Sequence, residues 1–172
     1  MTAEPEAPRP SRVETSAFKK AMATFPTGVA VVTALSGEEP VGFTCQSIVS
    51  LSLEPPYVAL APAKSSTSWP RIARVGSFCV NVLSAGQEEI ARRFARSGGD
   101  KFPGLSWRAS SSGAPVLEGV LSFVCCDLEL VHDAGDHEIA IGRVREVGFG
   151  ALEEGPLVFY RSGYGRLARA AD

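Results

Sequence analysis

Apolar and polar positions alternate along this chain in short blocks, and the blocks predict strands more often than helices. Val29–Leu35 is a β-branched run suited to a buried strand, opened by Gly28 and closed by the turn S-G-E-E-P. Val41–Leu53 reads as one or two further strands, and Tyr57–Ala63 as another after the Pro55-Pro56 turn. Phe78–Leu83 is a strand with Asn81 as its polar exception. Val120–Val131 and Glu138–Val147 are long strands joined by the tight link H-D-A-G-D-H, and Pro156–Tyr160 is a last short one before G-Y-G-R-L. Helical signals occur in three places. Ser16 can cap a short helix through Phe18, Met22 and Phe25 that ends at Pro26. Thr67 or Ser68 can cap Trp69–Val75, with Pro70 in the first turn, where a missing N–H costs little. Gln87–Arg96 carries Ile90, Ala91 and Phe94 on one face and is stopped by Gly98-Gly99.

Strands dominate and most neighbours are joined by short turns, so antiparallel pairing follows. That favours a β-barrel or closed sheet with peripheral helices over alternating βαβ units. Residues 100–119 are loop-rich, with D-K-F-P-G and S-S-S-G-A-P as turn signals. Residues 1–13, rich in Pro, Glu and Arg, read as a flexible tail, which leaves 14–172 as one domain.

Composition narrows the function. A chain of 172 residues is long enough for one real core. A net charge of −2 gives no general reason to expect nucleic acid or an anionic membrane as partner. No apolar run approaches the roughly 20 residues that span a bilayer. No basic-then-apolar leader opens the chain, so the expected location is cytoplasmic. Cys45, Cys79, Cys125 and Cys126 form no C-x-x-C pair, and adjacent Cys125 and Cys126 would point to opposite faces of a strand. Reduced, mostly buried thiols fit this pattern.

The unusual chemistry lies between Val41 and Thr67. Thr44, Ser47, Ser50 and Ser52 stud a strand region, and Lys64-Ser65-Ser66-Thr67 follows the next strand. A dry hydroxyl or amide needs a partner, so either the fold satisfies these groups or a polar, planar ligand lies against them. Other motifs fall away. Gly163-Tyr164-Gly165-Arg166-Leu167-Ala168 matches a dinucleotide fingerprint but lacks the βαβ unit and distant acid that the fingerprint needs. His132, Asp133, Asp136, His137 and Glu138 are metal-ligand types, yet no third ligand of matching spacing accompanies the two histidines, and a solvated hairpin turn is the better reading.

Several segments together resemble the flavin reductase family of FMN-binding split-barrel proteins, the reductase components of two-component flavin-dependent monooxygenases. They are F-P-T-G-V-A-V-V-T (25–33), G-F-T-C-Q-S-I-V-S-L-S-L-E-P-P (42–56), K-S-S-T (64–67) and F-C-V-N-V-L (78–83). R-F-A (93–95), D-K-F (100–102), G-D-H (135–137) and Y-R-S-G-Y-G-R-L (160–167) follow in order. The resemblance covers about residues 16–167. It departs at Cys45-Gln46, where Ala-Asn is commoner, and at Ile48, where Phe is frequent.

The resemblance implies a mainly β fold, a six-stranded antiparallel Greek-key split β-barrel with peripheral helices. It also implies a homodimer with a flavin beside the interface. Thr44, Cys45, Gln46 and Ser47 would face the flavin ring or ribityl chain, with Ser50 and Leu51 beside them. Lys64, Ser65, Ser66 and Thr67, together with helix N-terminal amides, would cradle phosphate. Pro26, Thr27 and Gly28 would close another edge, and Phe94, Lys101 and Phe102 would stand near the phosphate or adenine end. His137 is the expected nicotinamide contact and catalytic-site residue, oriented by Asp136, with Tyr164 near the same pocket. The implied activity is NAD(P)H-dependent flavin reduction, with FAD favoured over FMN and NADH over NADPH, and a monooxygenase partner that receives the reduced flavin. The competing readings are a non-catalytic flavin- or haem-binding module, an FMN oxidase of the pyridoxamine-phosphate type, and a purely structural protein. No basic cluster for a second phosphorylated substrate supports the oxidase.

Overall fold

The computed structural model describes residues 13–167. The tail expected over 1–13 falls, except for Val13, outside them. Helix α1 (Thr15–Met22) leads into the two-residue strand β1 (Thr27–Gly28). Strands β2 (Ala30–Ser36), β3 (Glu39–Cys45), β4 (Ile48–Leu53) and β5 (Pro56–Leu60) follow, then α2 (Trp69–Val75), β6 (Ser77–Val82) and α3 (Glu88–Ala95). A hairpin of β7 (Trp107–Ala109) and β8 (Pro115–Leu117) precedes the long pair β9 (Ser122–Ala134) and β10 (His137–Phe149). Strands β11 (Leu157–Tyr160) and β12 (Gly163–Arg166) close the described chain.

The main sheet has seven strands rather than the six expected, in the antiparallel order β3-β2-β6-β9-β10-β5-β4. Among the described residues its hydrogen-bond ladder does not close into a barrel, because β3 pairs only with β2 and β4 only with β5. Yet β3 and β4, at opposite ends of the order, are joined by just Gln46 and Ser47. The sheet must therefore curl until its two edges almost meet. A small sheet, β1-β11-β12, stands apart from it.

The concave interior is filled by Val32 and Ala34 of β2, Leu60, Phe78, Val80, Cys126 and Ala140, and is lidded by Trp69 and Ile72 of α2. The other face of β2 carries Val31, which with Val29 just before the strand packs with Ala91 and Phe94 of α3, Phe102, Leu117 and Leu157. Both faces of β2 are thus covered, which is why its sequence is nearly continuous in apolar residues rather than alternating. A third cluster contains Cys79 and Cys125, whereas Cys126 belongs to the interior, so the adjacent cysteines do face opposite ways. All four cysteines are free and buried. Burial pushes the Cys126 thiol up to about 12.

Three sequence expectations need correction. The G-Y-G-R segment is a strand, because Gly163–Arg166 pairs with Leu157–Tyr160. Glu14, not Ser16, occupies the cap position of α1 and makes no side-chain capping bond. At α2 the cap position belongs to Ser68, but its hydroxyl donates to the Gly42 carbonyl at 2.8 Å. The capping acceptor is Ser66, whose Oγ receives the amides of Ser68 (3.3 Å) and Trp69 (3.1 Å).

Asn81, the polar exception of its strand, is fully buried. Its amide nitrogen lies within 3.2 Å of the Val31 and Pro115 carbonyls and 3.1 Å of Thr33 Oγ1. Its oxygen accepts the Leu117 amide at 2.8 Å. One side chain therefore pins the β8 hairpin arm to the main sheet. Asn81→Leu removes the acceptor of the buried Leu117 amide and the donor shared by Thr33, Val31 and Pro115, and thermal or denaturant unfolding should show a loss of roughly 3 kcal/mol. A loss below about 0.5 kcal/mol would show that the pin carries no stability.

Candidate active site

The corner between β3 and β4 forms one wall of a half-open cleft of about 600 Å3. Thr44, Cys45, Gln46 and Ser47 line it, as do Ser65, Ser66 and Thr67 from the loop before α2, Phe94 and Lys101, and His137 and Tyr164. A volume of this size suits a drug- or cofactor-sized ligand. Eleven of the expected positions thus converge on one cavity although they span most of the chain.

The remaining positions divide. Pro26, Thr27 and Gly28 line a neighbouring groove that shares Gln46, Ser47 and Phe159 with the cleft. Phe102 belongs to a second hollow of about 400 Å3, which meets the cleft at Thr67 and Lys101. Ser50, Leu51 and Lys64 lie outside the cleft lining. Sequence reasoning missed Phe43, Phe159, Arg96 and Ser97, which also line it. Of these, Arg96 directly follows the R-F-A segment, and its charge was the signal available.

Many of the hydroxyls that drew attention are structural. Thr44 Oγ1 donates to the Ala91 carbonyl at 2.6 Å and ties β3 to α3. Ser47 Oγ bonds both the amide and the carbonyl of Ala61 at 3.1 Å, which prolongs the β4–β5 ladder through a side chain. Thr67 Oγ1 receives the Gly98 amide at 3.0 Å. Cys45 is buried, and desolvation raises its thiol pKa. Lys101 is buried as well. Its ammonium donates to the carbonyls of Gly42 (3.1 Å) and Phe94 (3.3 Å) and to Ser68 Oγ (3.5 Å), and burial pulls its pKa down. The Phe94 carbonyl lies in the last turn of α3, so Lys101 also caps that helix end.

The loop before α2 is locked to the hairpin between β9 and β10. The Lys64 amide donates to the Asp136 carbonyl at 3.0 Å, the Glu138 amide donates to the Pro62 carbonyl at 3.0 Å, and the Trp69 indole donates to Glu138 Oε2 at 2.5 Å. Lys64 Nζ pairs with Asp133 Oδ2 at 2.5 Å. His137 is thereby held at the cleft, half exposed, with Nδ1 at 2.8 Å from Asp136 Oδ1. That contact holds the Asp136 carboxyl below its ordinary range and leaves Nε2 as the ring nitrogen available to the cleft. Tyr164 stacks edge-on against Phe159 at 5.0 Å and lies under the Arg92 guanidinium at 4.8 Å. Burial raises its phenol pKa.

The donor set fits a flavin. Gln46 and Ser65 line the cleft with no intramolecular side-chain bond among the described residues, and Thr27 Oγ1 in the adjoining groove is buried with no partner. A polar, flat-sided ligand would find amide and hydroxyl groups here that the fold leaves unengaged.

An antiparallel curl with a shallow, hydroxyl-rimmed cleft at its corner is the class of protein these features define. The sequence matches the flavin reductase like domain over residues 22–168, and the chain belongs to that family. It is 46% identical to a flavin reductase of Pseudomonas putida over 92% of this chain and 93% of that protein. It is 47% identical to HsaB, the reductase subunit of a flavin-dependent monooxygenase of Rhodococcus jostii, over 86% of this chain and 75% of that one. Among solved structures, nitrilotriacetate monooxygenase component B of Mycobacterium thermoresistibile superposes with a TM-score of 0.87 at 38% identity, covering 91% and 88% of the two chains. The NADH:FAD oxidoreductase SgcE6 of Streptomyces globisporus, in complex with NAD and FAD fragments, gives 0.85 at 34% identity, covering 91% and 94%.

The Lys64–Asp133 pair has a direct check. Lys64 holds the Asp133 carboxyl below its ordinary value, so the pair stabilises the hairpin above about pH 4 and fades as pH falls through the depressed value. Lys64→Met should return the Asp133 titration, followed by carboxyl-carbon NMR, to the ordinary range near pH ~3.9. An unchanged titration would mean that the ion pair does not persist in solution.

Proposed function

We propose that this protein is an NAD(P)H:flavin oxidoreductase that reduces FAD or FMN and releases the reduced flavin to a partner monooxygenase. The observation that carries the reading is the convergence of the unengaged Gln46 and Ser65 with His137 and Tyr164 on one half-open cleft. The relatives that are reductase subunits of monooxygenases support the partner.

A bound flavin supplies the ring that accepts a hydride from the nicotinamide. The chain's residues align the two reactants and limit water. Gln46 and the corner backbone bind the flavin edge, and Ser65 stands at the phosphate end. The Nδ1 contact with Asp136 leaves His137 Nε2 able to accept a hydrogen bond from the nicotinamide carboxamide. Hydride transfer needs no proton from the protein at that step, so the His137–Asp136 pair positions the nicotinamide rather than moving a proton. An open cleft also suits a flavin that must leave after reduction.

FAD is favoured because the hollow lined by Gly98, Gly99 and Asp100 adjoins the cleft and can receive an adenylate. NADH is the favoured donor. The SgcE6 complex contains fragments of both cofactors. The test is NADH consumption, followed by near-ultraviolet absorbance, with added FAD or FMN. Fast turnover that requires free flavin is expected. His137→Ala should lower kcat/KM for NADH roughly 10- to 100-fold, the worth of one positioned hydrogen bond. No turnover with either flavin and either nucleotide would overturn the reading.

The active form is a homodimer. Val49, Leu51 and Leu53 are 56%, 51% and 87% exposed along β4, and Phe18, Met22 and Phe25 are exposed beside the groove that adjoins the cleft. Such a patch at the mouth of a site calls for a covering surface. Light scattering should give twice the chain mass. Leu51→Glu should yield monomer and weaken flavin binding, whereas a monomeric wild type would exclude the dimer.

A further inference from the structure

The phosphate of a bound flavin needs compensating positive charge, and the cation expected from the sequence is not placed to provide it. Lys64 lies outside the cleft lining, with its ammonium on Asp133 at 2.5 Å. Lys101 lines the cleft, but its three donors are directed at Gly42, Phe94 and Ser68. The amides of Ser68 and Trp69, at the entry to α2, are occupied by Ser66 Oγ. The loop over residues 64–67 therefore offers hydroxyls without net charge.

Arg96 is the other cationic side chain along this wall. It is exposed, follows directly on α3, and has no side-chain hydrogen bond or ion pair among the described residues. The bond from the Gly98 amide to Thr67 Oγ1 holds the lip that carries Arg96 against the hydroxyl loop. A guanidinium and the hydroxyls of Ser65 and Ser97 thus line the same cleft, on segments joined by the Gly98–Thr67 bond. Guanidinium presents a planar fork that matches phosphate oxygens in pairs. The last carbonyls of α3 would repel an anion at that end, and Lys101 already covers one of them.

We propose that Arg96, and not Lys64, is the phosphate-binding cation of the flavin site, and that it makes the site select flavin nucleotides over unphosphorylated flavin. This rests on the flavin reading above. It assigns the charge at the ribityl-phosphate end to a residue outside the hydroxyl cluster, and it makes the 96–99 lip part of flavin recognition.

The test is equilibrium binding of riboflavin, FMN and FAD, read by flavin fluorescence, to the wild type, Arg96→Met, Arg96→Lys and Lys64→Met. Arg96→Met should weaken FMN and FAD by roughly tenfold or more and leave riboflavin within about twofold. Arg96→Lys should recover part of the loss. Added salt should weaken FMN binding more in the wild type than in Arg96→Met. FMN affinity unchanged in Arg96→Met, riboflavin weakened as much as FMN, or a phosphate-selective loss confined to Lys64→Met would each overturn the assignment. NADH oxidation with riboflavin as acceptor reads the reductase activity separately. Its absence in the wild type would count against the proposed function, while the binding comparison would still decide the role of Arg96.

Discussion

The structure depends on one topological constraint: the two edges of the seven-stranded sheet are consecutive strands joined by two residues. A flat sheet cannot satisfy it, because neighbouring strands stand about 4.8 Å apart and seven of them would separate the edges far beyond a two-residue link. The twist natural to antiparallel strands, accumulated around the order, brings the edges together. Ser47 completes the corner by bonding both backbone groups of Ala61, where the β4–β5 ladder would otherwise end. The cleft is the opening left where the ladder fails to close.

That origin explains the polar character of the site. At the corner the backbone is no longer paired on both sides, and Thr44, Gln46 and Ser47 are the side chains the turn leaves at the opening. Hydroxyls here hold the rim in shape: Thr44 anchors to α3, Thr67 to the 96–99 lip, and Ser66 caps α2. A rim fixed by internal hydrogen bonds can present the remaining groups to a ligand with little reorganisation.

The end of the cleft that carries His137 is organised by a different device. The hairpin of β9 and β10 extends past the sheet body and is laced to the loop before α2 through Lys64, Glu138 and Asp136. His137 and the hydroxyl loop are thereby positioned as one unit, although more than sixty residues separate them in sequence. The Lys64–Asp133 pair and the Trp69–Glu138 bond belong to this lacing, which gives a lysine beside a serine cluster a positional role rather than a charge-donating one.

Much was legible in the sequence because it is local. Turn chemistry and apolar runs marked the antiparallel strands, the unbroken run of Val29–Leu35 marked a buried strand, and Asn81 stood out as the polar exception of its strand. The hydroxyl-bearing stretch between Val41 and Thr67 pointed to a ligand site, and the resemblance of ordered motifs pointed to its chemistry. What the sequence could not determine depends on long-range partners. The seventh strand and the unclosed ladder follow from how β3 and β4 divide at Gln46-Ser47 and leave for opposite edges, a choice made by the whole sheet. The identity of a hydroxyl as rim support or ligand donor depends on which distant carbonyl or amide it reaches. The same holds for charge: Lys64 and Arg96 are both cations near polar small residues, and only the folded hairpin, by bringing Asp133 to Lys64, distinguishes the neutralised one from the one with no partner among the described residues.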